Sequence, residues 1–98
     1  MVTFLALYKW PLDPEAFLDH YKTVHLPLTE AIPGVQSVLW GLVSPIGSGD
    51  DLYLVASLQF KDREALDLGM ASPEAHAAAR DLNEFAKDLY QLKVVDWQ

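Results

Sequence analysis

Cysteine is absent from the 98 residues, which excludes disulfides, thiolate nucleophiles and zinc–sulfur centres together. Basic residues are few and scattered: seven Lys and Arg stand against fourteen Asp and Glu, for a formal charge of -7. With no basic run, the chain repels polyanions, so neither nucleic acid nor an anionic membrane surface is an expected partner. No apolar run approaches the roughly 20 residues that a membrane span needs. The stretch from Met1 to Leu12 lacks a basic leader and Lys9 breaks its apolar run, so it reads as a strand and not a secretion signal. The expected location is cytoplasmic.

Nucleotide chemistry has no foothold either. There is no phosphate-cradling glycine loop, no dinucleotide fingerprint and no G-x-S-x-G nucleophile elbow. Asp50 and Asp51 are neighbours in a loop and are badly placed for paired acid–base work. No cofactor is expected.

What the chain does have is apolar surface, with hydrophobic residues at 51%. The length predicts one domain over residues 1–98. Such a domain hides only roughly 60–70% of its unfolded surface. A second copy is the simplest cover for the rest, so a homodimer is expected.

Residues Val2 to Trp10 predict a strand with two apolar faces, carrying Val2, Phe4, Ala6, Tyr8 and Trp10 on one side and Leu5 and Leu7 on the other. Strands are also predicted from about Val35 to Val43, from Leu52 to Phe60 and from Leu89 to Trp97, with an exposed hairpin loop over Ser44 to Asp51. In the third strand Leu52, Leu54, Ala56, Leu58 and Phe60 form an apolar face, whereas Tyr53, Val55, Ser57 and Gln59 are mixed.

Helix starts are marked by an acceptor side chain, at two of three sites just before a proline: Asp13-Pro14, Asp62 and Ser72-Pro73. Leu12 and Phe17 are spaced as a hydrophobic staple. At 100° per residue Phe17, Tyr21, Val24 and Leu28 make one core-facing stripe, with His25 in the same arc. Pro27 predicts the end of this helix near His25. In the last helix the predicted stripe is Ala75, Ala79, Leu82 and Phe85-Ala86.

The order strand, helix, strand, strand, helix, strand predicts an α+β fold: a ferredoxin-like βαββαβ unit whose four-stranded antiparallel sheet carries its helices on one face. The other face is too apolar to stay wet. Two such faces meeting across a two-fold axis predict a dimeric α+β barrel, with a shared chamber for a small hydrophobic ligand.

Three residues are candidates for chemistry. His25, on the apolar side of its helix, titrates in the range that a general acid or base needs; the simpler reading is that its ring bonds a backbone carbonyl and fixes the helix end. Tyr8 and Tyr21 offer phenols to a substrate oxygen, against the plainer role of core residues. Exposure is expected for His20 and His76. His20 and His25 stand about 140° apart on a regular helix, which argues against a shared metal site, and a lone histidine leaves haem ligation open.

Asp13-Pro14-Glu15-Ala16-Phe17, His20-Tyr21 and His25-Leu26-Pro27-Leu28 resemble the signature of the EthD-like family, a D-P-x-x-F helix start followed by H-x-P-L. Ile32-Pro33-Gly34 and Ser72-Pro73-Glu74 also fit it. The resemblance implies a dimeric α+β barrel of ferredoxin-like protomers. It implies no single activity: members are associated with degradation of an alkyl ether, and others resemble dehydratases or oxygenase-like enzymes of aromatic polyketides. The leading expectation is a cofactor-free enzyme, a dehydratase, isomerase or oxygenase-like protein acting on a small hydrophobic or aromatic compound. The alternatives are a non-catalytic protein that binds or senses an apolar metabolite, and a fully packed dimer with no cavity of ligand size, about 300 Å³ or more.

Overall fold

A computed structural model describes residues 1–49 and 51–98. Four strands, β1 (Val2–Lys9), β2 (Ser37–Leu42), β3 (Leu52–Phe60) and β4 (Tyr90–Asp96), form one sheet in the order β2-β3-β1-β4. Every neighbouring pair is antiparallel. The first crossover carries α1 (Pro14–His20), a π-helical turn (Tyr21–His25) and α2 (Leu26–Glu30); the second carries α3 (Arg63–Met70) and α4 (Pro73–Phe85). This is the predicted βαββαβ order. The predicted hairpin loop is exposed over Ser44–Gly49 and at Asp51, while Asp50 lies outside the described residues.

The capping residues act as their chemistry requires. Asp13 accepts from the Ala16 amide at 3.1 Å, Asp62 from Ala65 at 2.9 Å and Ser72 from Ala75 at 3.1 Å. Leu12, by contrast, is fully exposed, so no staple forms with Phe17.

The first helical segment does not stop near His25. It runs on to Glu30 because the backbone widens ahead of Pro27: the Leu26 amide bonds the Tyr21 carbonyl, five residues back. A proline ring in a regular helix collides with the carbonyl four residues earlier, and a π-turn relieves that collision locally. The extra residue also changes which side chains face inward. Phe17, Tyr21, His25 and Thr29, spaced by four, are buried, while Val24 is turned outward to 41% exposure.

The sheet's covered face holds the core. Tyr8, Ala6, Leu54 and Ala56 pack with Phe17, Tyr21 and Leu82, while Val2, Leu58 and Phe60 pack with Ile32, Leu66 and Ala78. In α4 the buried stripe is Ala75, Ala78 and Leu82; Ala79, expected there, is exposed. Tyr53 departs from the predicted alternation. A bulge pairs Tyr8 with Leu54 and Lys9 with Leu52, leaving Tyr53 unpaired between them. The bulge re-aims its side chain onto Phe17, with ring centroids 6.0 Å apart. The α3 helix closes tightly on the turn before β2, where a Cβ on Gly69 would lie 2.6 Å from the Pro33 carbonyl oxygen.

Among the described residues no helix covers the far face of the sheet. Register places Leu5, Leu7, Leu39, Val55 and Val95 on that side, with Leu39 at 67% exposure. Trp97 folds back there and donates from Nε1 to Thr3 Oγ1 at 2.7 Å.

Candidate active site

A cavity of about 90 Å³ lies between the covered face of the sheet and the helices, and Tyr8, Tyr21 and His25 all border it. Its remaining walls are apolar except at Thr29, chiefly Phe4, Leu58, Ala78 and Leu82, with Met70 and Leu92 among the lining. The three sequence candidates are therefore brought together. They do not point into a chamber between two sheets, as the barrel picture predicted. The reason is parity: Tyr8 shares the even face of β1 with Ala6, and that face meets the helices. The volume falls below the roughly 150 Å³ of an apolar cavity that takes benzene, and below the roughly 300 Å³ expected of a ligand pocket. A ring-sized guest needs the lining to give way; Met70 is unbranched and adaptable, and Leu92 is 41% exposed. A porphyrin does not fit, which removes the haem alternative for this site.

His25 is 5% exposed and its Nδ1 lies 3.0 Å from Asp81 Oδ2. The other carboxylate oxygen, Oδ1, lies 2.8 Å from His20 Nε2. A carboxylate accepts and does not donate, so Nδ1 of His25 carries the hydrogen. Its Nε2 is left with a lone pair. No side-chain nitrogen or oxygen that is shut off from solvent lacks a partner among the described residues; Nε2, which bonds none, therefore keeps some accessible surface, on a residue that borders the cavity. The same argument opens the hydroxyls of Tyr8 and Tyr21 to it.

Burial pushes the His25 imidazole below its usual range, opposed by the hydrogen bond and charge of Asp81 and reinforced by His20. The neutral, proton-accepting form thus predominates near neutral pH. Burial acts in the opposite direction on the phenols. Tyr21 is pushed up to about 12, mainly by desolvation and then by Glu30. Tyr8 is raised further still, by desolvation first and by Tyr21 and Asp81 next. Both remain neutral donors wherever the imidazole is a base.

Two expectations about histidine change here. His20 is not simply exposed: its side chain is 34% accessible, bonds Asp81 and stacks on Phe85 at 4.6 Å. His20 and His25 are also not on opposed faces. The π-turn closes after five residues instead of about four, so residues five apart come into line. Both rings aim at the carboxylate, and among the described residues no group of three His, Asp or Glu is arranged to hold a metal. His76 is exposed as expected.

Asp81 is the residue that the sequence reading missed. The signal was faint: on the helical wheel it falls about 40° beyond Phe85, at the edge of the apolar arc of α4. An acid there needs a partner.

The sequence pattern of the EthD domain matches residues 9–88. An 11.0 kDa protein from the thcB–thcC intergenic region of Rhodococcus erythropolis is 36% identical over 87 residues, covering 88% of this chain and 84% of its own. An EthD family protein from Bacillus halodurans superposes with a TM-score of 0.93 at 34% identity, over 100% of this chain and 99% of that one. Two more distant structures share the ferredoxin-like fold. A dimeric protein from Thermobifida fusca has a TM-score of 0.73 at 14% identity, over 98% of this chain and 90% of its own. A single-site mutant of the cofactor-independent oxygenase SnoaB from Streptomyces nogalater has a TM-score of 0.67 at 15% identity, over 99% of this chain and 92% of its own.

Proposed function

The chain belongs to the EthD family, and on that premise we propose that it is a homodimeric enzyme in which His25 moves a proton on a small apolar compound. The observation that carries the reading is the pairing of His25 Nδ1 with Asp81 at 3.0 Å while Nε2 opens on an apolar cavity. A neutral imidazole held in one tautomer is a general base, and two neutral phenols beside it can donate to a developing oxyanion. The substrate class that fits is a hydroxyl- or carbonyl-bearing compound with an apolar body. Dehydration, isomerisation and cofactor-free oxygenation each begin with such a proton removal. SnoaB lends the last of these a precedent within the fold.

The dimer has a different task from the one first assigned to it. The cavity belongs to one protomer, so the second copy covers the open sheet face and does not complete the site. Its support is the apolar side of the sheet around Leu5, Leu7 and Leu39, together with dimeric relatives of the fold.

The test is His25→Ala. Loss of a general base lowers turnover by about 100-fold or more; a rate within about threefold of the parent, on any substrate found for it, removes the proton role. The second reading, a binding protein for the same compounds, draws on the same largely apolar lining. It predicts retention of a co-purifying apolar ligand, seen by native mass spectrometry, with no turnover.

A further inference from the structure

We infer that Asp81 is the positioning residue of this site, fixing the tautomer of His25, and that His20 in turn holds Asp81 in place. The inference rests on the proton role given to His25 above, but its test does not need turnover.

The geometry has three parts. Asp81 is 11% exposed in its side chain and spends one oxygen on each histidine, 2.8 Å to His20 Nε2 and 3.0 Å to His25 Nδ1. Both ring hydrogens point to the carboxylate, because it has only lone pairs to offer. His25 is thereby left with its acceptor nitrogen toward the cavity, the one arrangement in which it can take a proton from a guest.

His20 supplies the restraint on the other side. A carboxylate bonded through one oxygen can still swing about its own axis, and a second bond removes that freedom. Phe85 seats both imidazoles, stacked on His20 at 4.6 Å and tilted against His25 at 5.0 Å. The relation of three side chains from two helices depends on the π-turn, which brings residues 20 and 25 to the same carboxylate. Of the phenols that border the cavity, Tyr8 is close enough to feel the Asp81 charge, and Tyr21 lies 5.8 Å from the His25 ring.

A merely structural Asp81 would hold α4 against the helical segment without dictating where His25 carries its hydrogen. NMR of the imidazole nitrogens in the intact chain, at neutral pH and without ligand, separates the two cases. The wild type is expected to show His25 protonated on Nδ1. Asp81→Asn, nearly isosteric, is expected to mix the two tautomers and to lower the His25 protonation midpoint by about one pH unit, since a facing negative charge is gone. His20→Gln keeps a donor beside Asp81 and is expected to preserve the tautomer, whereas His20→Ala erodes it. A wild-type hydrogen on Nε2 overturns the inference whether or not any variant folds. So does an Asp81→Asn protein with both readings unchanged. If His20→Ala leaves the tautomer intact, the part given to His20 falls. A fixed tautomer combined with full turnover in His25→Ala sinks the proton role and leaves the positioning standing.

Discussion

Phe85 stacks on His20 with ring centroids 4.6 Å apart and planes 25° from parallel. The same ring lies 5.1 Å from Phe17 and 6.2 Å from Tyr8, so one aromatic side chain joins the histidine pair to the core. Phe85→Leu keeps most of the volume but removes the flat face. The expected cost is about 1–2 kcal/mol of stability by chemical denaturation. The His20 ring should also become more mobile, which relaxation of its NMR signals would report. A rigid His20 in that variant would show that the stacking is incidental.

Stability should depend on pH through His25. Burial lowers its folded midpoint below the usual 6.5 or so of histidine. As the pH falls through that usual value the unfolded chain binds the proton first, so the unfolded state gains and stability falls with acid. The contribution is complete above about pH 6.5 and disappears as the pH drops toward the folded midpoint. The groups facing His25 are Asp81 and His20, with Tyr8 and Tyr21 neutral throughout this range. His25→Gln should flatten the slope of unfolding free energy in that window; an equally steep slope assigns it to other groups.

The open face of the sheet predicts how the copies meet. Leu39 is 67% exposed in the single chain, so Leu39→Glu should leave the protomer's fold intact and lower Tm only by what the dimer contributed. Facing its own image in a dimer, the carboxylate would be buried without a partner, at a cost of several kcal/mol. Sedimentation should then show a monomer where the parent is a dimer. A variant that still dimerises places the contact elsewhere.

Much of the molecule was legible in the sequence because local chemistry and tertiary demand agree. Asp13, Asp62 and Ser72 each cap the helix that their spacing announced. The alternation in β3 from Leu54 to Phe60 found its covered face. Periodicity failed where the backbone left its ideal repeat. The π-turn displaced Val24 from the predicted stripe, and the bulge turned Tyr53 from the mixed face to the core. Neither irregularity has a composition cue that a repeat of 3.6 or 2 can register. Asp81 escaped for another reason: its partners come from the other crossover, 61 and 56 residues away. Only the fold brings them together.

The widened turn between Tyr21 and His25 makes the site depend on the pitch of the backbone more than on side-chain identity. Were the same five residues rewound as an ordinary α-helix, each would advance by about 100°. Everything downstream would then be clocked round by one step relative to His20. His25 would keep its neighbours in the chain and lose its neighbour in space.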